Sequence, residues 1–141
     1  MNTAIDRIID VFQTLNPAGV ESLGGIYAPD ARFIDPFHDV QGLAAIQRIF
    51  RHMYASLENP HFVVTGRIGQ GAQCFLTWEF RFAFRRFKRG QPQCILGGSH
   101  LFLGDDGRIV LHRDYWDAAQ GLYEKLPVVG ALMRWLKARV N

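Results

Sequence analysis

A chain of 141 residues is one domain by length, able to bury about two-thirds of its unfolded surface without a metal or disulfide staple. Its net charge of +3 is small, and the basic residues divide between Arg85–Arg89 (RRFKR) and Arg134, Lys137 and Arg139, too diffuse for a nucleic-acid footprint. Apolar residues make up 48% and Phe alone occurs 11 times, which predicts an aromatic-rich core and a ring-lined cavity.

The opening MNTAIDRIID carries acids and no long apolar run, unlike a signal peptide. No stretch reaches the roughly 20 apolar residues that span a bilayer, so a soluble protein without membrane partners is expected. Its two cysteines, not expected to pair with each other, make the cytoplasm the default compartment. Ile5, Ile8, Ile9, Phe12 and Leu15 recur at helical spacing until Asn16-Pro17 stops the helix. A second short helix is predicted over 18–27, ending before Pro29, then a short strand over 32–35. The stripe Leu43, Ile46, Ile49/Phe50, Met53 marks a third helix that ends near Asn59-Pro60.

Beyond Pro60 the period changes from helical to alternating. A strand over 61–68 and a turn at 69–71 lead into Trp78, Phe80, Phe82 and Phe84, which alternate with Glu79, Arg81, Ala83 and Arg85. One face of this strand is aromatic, the other polar. Gly90 suits a two-residue hairpin loop, which would pair Phe84 with Ile95, Phe82 with Gly97 and Phe80 with Ser99. A turn at 104–107 leads into a last strand over 109–116, and a loop spanning Asp105–Arg108 would set Ser99 opposite Asp114 and Leu101 opposite His112. His112, Asp114 and Trp116 thus share the face of the Phe row. In this register Cys74 and Cys94 lie far apart, which argues against a disulfide and for a reducing compartment. The tail, 119–141, reads as a helical extension whose Val128, Leu132, Trp135 and Leu136 form one stripe that would close the cavity mouth.

Helices followed by a long curved antiparallel sheet predict a single α+β domain over 1–141, a cone-shaped (mixed) sheet wrapped around its N-terminal helices. Three stretches carry a family resemblance: IYAPDARFIDP at 26–36, GLAAI at 42–46 and GGSHLFLGDDGRIVLHRDYWD at 97–117. Through them the chain, over residues 3–118, resembles the nuclear-transport-factor-2-like superfamily, in its ketosteroid isomerase and SnoaL-like polyketide cyclase branch. The resemblance implies a cone fold, chemistry without a cofactor or metal, and a homodimer joined through the convex sheet face. On that face Arg81, Arg85, Arg113 and Tyr115 would meet the second copy.

Carried over by position, Asp35 falls where the isomerase has its proton-shuttling aspartate, in the same Asp-Pro step. Val11 stands at the place of its helix tyrosine and Ser99 at that of its oxyanion-hole aspartate, so steroid isomerisation is not expected. His112 and Asp114 are additional, and being two apart on a strand they point the same way. The sharp reading makes Asp35 a general base raised by an apolar pocket and makes Asp114 with His112 an acid/base pair. The plain reading makes Asp35 a turn cap and His112–Asp114 an internal hydrogen bond. Asp35, His112 and Asp114 would also suit a metal as residue types. His38 and Asp39 follow on a loop that could rim the pocket, but solvent exposure is the expectation for a polar loop.

Val11, Trp78, Phe80, Phe82, Phe84, Ser99, Leu101 and Trp116 would line the substrate pocket. The functional expectation is an acid/base enzyme for a small apolar cyclic or carbonyl molecule, of isomerase, cyclase, dehydratase or epoxide-hydrolase type. The alternative is a non-catalytic domain that binds a small hydrophobic ligand or dimerises.

Overall fold

The computed structural model describes residues 3–85 and 90–117. Helix α1 (Thr3–Thr14) buries Ile5, Ile8 and Phe12. Asn16 then accepts the Gly19 N–H through its side chain at 2.8 Å and starts a 3₁₀ helix, Pro17–Gly25. Strands β1 (Tyr27–Ile34) and β2 (Asp39–Gln41) follow, then helix α2 (Leu43–Ser56), which buries Ile46 and Phe50. Four long strands complete the described chain: β3 (Leu57–Gln70), β4 (Gln73–Phe84), β5 (Gln93–Leu103) and β6 (Ile109–Trp116).

All six strands form one sheet in the order β2-β1-β6-β5-β4-β3. The β1–β6 pair is parallel and the other pairs are antiparallel, so the sheet is mixed. The helices lie against its concave face, where Ile8, Val20, Leu23, Ile26, Tyr27, Ile46, Leu76, Leu101 and Ile109 are almost wholly buried. This is the α+β cone expected from the sequence. The tail helix lies outside the described residues.

Three boundaries differ from the expectation. Tyr27 opens a strand instead of ending a helix, and the register of β1 against β6 shifts between Tyr27 and Arg32, around Pro29. Strand β3 begins at Leu57, and its register against β4 shifts between Glu58 and His61, around Pro60. A proline cannot donate to a ladder, and here each is accommodated at an irregularity, so neither ends its strand. Beyond Pro36 the short strand β2 pairs with β1, Ile34 opposite Asp39, where a loop was expected.

The β4–β5 register is also corrected. Phe80 lies opposite Ile95, Trp78 opposite Gly97 and Leu76 opposite Ser99, a slip of four residues from the hairpin-loop expectation. Packing sets it, because the six-membered ring of Trp78 occupies the space that a Cβ on Gly97 would fill. An even slip keeps every side chain on its face, so the aromatic row still points to the concave side. The β5–β6 register agrees with the expectation, with Ser99 opposite Asp114 and Leu101 opposite His112.

Candidate active site

Within the cone lies a cavity of about 200 Å³. Rings make most of its wall: Phe12 from α1, Phe50 from α2, Phe62 from β3, Trp78, Phe80, Phe82 and Phe84 from β4, and Trp116 from β6. Phe62 stacks on Phe80 at 4.7 Å and meets Trp78 edge-on at 5.3 Å, arrangements that hold the rings in place without a hydrogen bond. The titratable groups on the wall are Asp35, His38, His52, His112 and Asp114.

Six of the eight expected pocket residues line the cavity: Trp78, Phe80, Phe82, Phe84, Ser99 and Trp116. Val11 and Leu101 do not. Val11 packs partly buried against the main core, and the next residue round the helix, Phe12, reaches the cavity instead. Leu101 is fully buried deeper in the core, beside the end of β4 near Cys74.

A chain of hydrogen bonds crosses the wall at β6. The Trp78 indole N–H, which can only donate, gives to Ser99 Oγ at 2.9 Å. The Ser99 hydroxyl therefore spends its proton on Asp114 Oδ1, at 2.5 Å. His112 Nε2 meets the same Oδ1 at 2.6 Å, and its Nδ1 meets the Tyr27 hydroxyl at 2.7 Å. Complete burial, and secondly the charge of Asp114, hold the Tyr27 hydroxyl protonated well above the ordinary tyrosine value. Its O–H given to Nδ1 leaves the imidazole proton on Nε2, directed at Asp114. Both donors thus converge on Oδ1, and Asp114 Oδ2 takes no hydrogen bond among the described residues. No buried side-chain N or O among them lacks a partner.

Asp35 has a different environment. Its Oδ1 accepts the backbone N–H groups of Phe37 at 2.8 Å and His38 at 2.6 Å, and His38 Nδ1 approaches Oδ1 at 2.9 Å and Oδ2 at 3.1 Å. The Asp-Pro turn is capped by its own aspartate, with the side chain nevertheless on the cavity wall. His38, expected to face solvent, has a side chain only 12% exposed and lines the cavity. Asp39 does face outwards and is bridged to Arg32 at 2.7 Å. The parallel pairing runs Phe33 beside His112 and Ile34 beside Arg113, so Asp35 lies one residue beyond the last paired position, alongside Asp114. Asp35, just after β1, and Asp114 on β6 therefore lie on the same side of the cavity wall, where the sequence suggested groups facing each other across a ligand.

Tyr27 and His38 are the members of the two hydrogen-bonded groups that sequence reading missed, and Phe12, Phe50, His52 and Phe62 are missed wall residues. For His38 a signal exists: Asp-Pro-x-His places an acceptor three residues before a donor in a capped turn. Tyr27 had none, since its partner is 85 positions away. No three His, Cys, Asp or Glu among the described residues are arranged to hold a metal ion.

A family profile described as a SnoaL-like domain matches residues 6–112, well over half of the chain. The chain belongs to the SnoaL-like family. No curated protein matches this SnoaL-like chain. Among solved structures it is similar to a Catenulispora acidiphila protein with a ketosteroid isomerase-like fold, in complex with trimethylamine (17% identity, TM-score 0.71, covering 85% of this chain and 89% of that one). It is also similar to a candidate SnoaL-like polyketide cyclase from Jannaschia (15%, TM-score 0.71, 96% and 92%). A third is an M. tuberculosis epoxide hydrolase of the LEH-like kind (16%, TM-score 0.67, 92% and 94%). At such identities the likeness establishes the SnoaL-like cone, and the chemistry rests on the side chains. No helix among the described residues is long and apolar enough to cross a membrane.

Proposed function

We propose that this SnoaL-like protein is an acid/base enzyme that works without a cofactor on a small apolar cyclic or carbonyl-bearing molecule held in the cavity. One observation carries the reading: Asp114 stands on an aromatic wall with both of its donors on Oδ1 and Oδ2 unoccupied. Oδ2 can then take or give a proton while Oδ1 keeps Ser99 and His112, so the carboxyl need not move during transfer. An apolar cavity of about 150 Å³ is enough for benzene, and the space here of about 200 Å³ suits one ring with substituents. Isomerisation, cyclisation, dehydration and epoxide opening all need this proton handling, and similar structures carry the cyclase and epoxide-hydrolase names. Steroid isomerisation remains unexpected, because Phe12 offers the cavity no hydrogen bond and the Ser99 hydroxyl is spent on Asp114.

A second reading, a non-catalytic ligand-binding domain, draws on Asp35, whose Oδ1 is filled by backbone donors as a purely structural cap would be. The protein is taken to act as a homodimer through its convex face, where Ile68, Leu96 and Tyr115 are exposed. A cytoplasmic location accords with Cys74 and Cys94 forming no disulfide.

Turnover of 3-cyclohexenone, followed as the conjugated isomer forms, and of cyclohexene oxide, followed as diol, tests the reading on the full chain. Asp114→Asn should abolish turnover of whichever is accepted while ligand quenching of Trp78 and Trp116 fluorescence persists. Binding of both without turnover in the unmodified protein favours the second reading, and full turnover by Asp114→Asn refutes the first.

A further inference from the structure

Two Asp–His pairs share the cavity wall, and they are wired in opposite senses. In the pair on β6, His112 has both ring nitrogens engaged, by Tyr27 and by Asp114, and the carboxylate keeps an unoccupied oxygen. In the pair after β1 the carboxylate is engaged: Asp35 Oδ1 holds two backbone N–H groups, and both of its oxygens lie within hydrogen-bond reach of His38 Nδ1. A carboxylate accepts here, so Nδ1 of His38 carries the proton and Nε2 carries the lone pair. Nε2 has no hydrogen bond among the described residues, and His38 lines the cavity.

A proton arriving on Asp35 Oδ1 would weaken two backbone hydrogen bonds that hold the turn, and one arriving on Oδ2 would meet the N–H of His38 Nδ1. A proton arriving on His38 Nε2 displaces nothing, and the imidazolium that forms faces the Asp35 carboxylate at 2.9 Å. We propose that His38 is the proton-accepting group on this side of the cavity and that Asp35 is its positioning residue. Nε2 takes the proton of an acidic C–H or O–H of the ligand, the electron pair of the broken bond stays on the ligand, and the proton returns to the product. No co-reactant is consumed. The proposal builds on the acid/base reading of the cavity, but assigns a different residue from Asp114.

Imidazole ¹⁵N spectra of the full chain test it without a known substrate. In neutral His38, Nδ1 should read as the protonated nitrogen and Nε2 as the bare one, and Asp35→Asn should disturb that tautomer while leaving the His112 signals in place. Phenol, which can donate its O–H, should shift the His38 Nε2 resonance and leave both His112 nitrogens unmoved, whereas anisole, of like shape without the donor, should not. A His38 protonated at Nε2, or a cavity saturated with phenol in which Nε2 does not move, overturns the proposal. In the turnover assays His38→Gln should lose about a hundredfold or more in kcat, the usual scale for a general base. If His38→Gln keeps full turnover where Asp114→Asn loses it, His38 is refuted and Asp114 stands. The reverse pattern supports His38 and refutes the role given to Asp114.

Discussion

The hydroxyl of Tyr27 reaches Nδ1 of His112 at 2.7 Å, with the two rings nearly parallel at 8° and their centres 5.9 Å apart. Both side chains are buried, and the bond is the last link of the chain Trp78–Ser99–Asp114–His112. Removing the hydroxyl therefore strands a buried imidazole nitrogen. Tyr27→Phe should lower unfolding stability by about 1–3 kcal/mol, the cost of leaving a buried acceptor unmade. Urea unfolding followed by tryptophan fluorescence measures it. An unchanged midpoint would mean that Nδ1 has found water or never relied on Tyr27.

The same hydroxyl sets an alkaline limit. Its folded pKa is raised well above the ordinary tyrosine value of 10.0, first by burial and then by the Asp114 charge. Above pH 10.0 the unfolded chain loses this proton and the folded chain keeps it, so the unfolded state binds fewer protons. Stability is then fully present below the unfolded value and falls as pH rises towards the folded one. The urea midpoint of the unmodified protein should drop between about pH 9 and 11 more steeply than that of Tyr27→Phe. Tyrosinate absorbance should show one tyrosine that ionises only on unfolding. Parallel slopes in the two proteins would contradict this.

How much of this was legible in the sequence depended on how local the determining contact is. The β5–β6 register followed from a loop taken to span Asp105–Arg108, and with it the pairing of Ser99 with Asp114 and of Leu101 with His112. The β4–β5 register did not follow from Gly90, because the ring of Trp78 lying over Gly97 is a contact between strands that no turn signal encodes. Periodicity put Phe12 on the buried stripe of α1, whereas the family resemblance put Val11 in the cavity, and Phe12 is the residue that lines it. The parallel β1–β6 pairing joins distant segments, so neither Tyr27 behind His112 nor Asp35 alongside Asp114 was visible before the sheet was assembled. Polar loop composition pointed His38 at solvent, whereas the capped turn directs it inwards.

Gly97 gives that packing argument a direct test. A Cβ there would fall well inside contact distance of three Trp78 ring atoms. Gly97→Ala should push the indole away, weaken its N–H bond to Ser99 and cost about 1–3 kcal/mol as an overpacked core does. The Trp78 indole N–H resonance should move towards a weaker hydrogen bond. A neutral substitution with that resonance unmoved would mean the ring is not what sets the register.

The convex face sets the remaining expectation. Sequence reading put Arg81, Arg85, Arg113 and Tyr115 there as the contact groups; Arg81 is held by Glu79 and Arg85 by the Tyr54 carbonyl, while Tyr115 stands exposed. What stands out from the sheet is apolar: Ile68 is 74% exposed, Leu96 70% and Tyr115 51%. Phe75 extends this surface, its ring lying over Gly98 and 6.4 Å from that of Tyr115. An antiparallel sheet tolerates water on one face when that face is polar, and exposed large apolar side chains on it favour a covering partner. The full chain should sediment as a dimer at micromolar concentration, since two copies related by a two-fold axis can cover the same patch on each other. Leu96→Asp should shift it to monomer without loss of the cavity, because the side chain points away from the concave side. A monomer mass for the unmodified chain, or a dimer indifferent to Leu96→Asp, would remove this face as the interface.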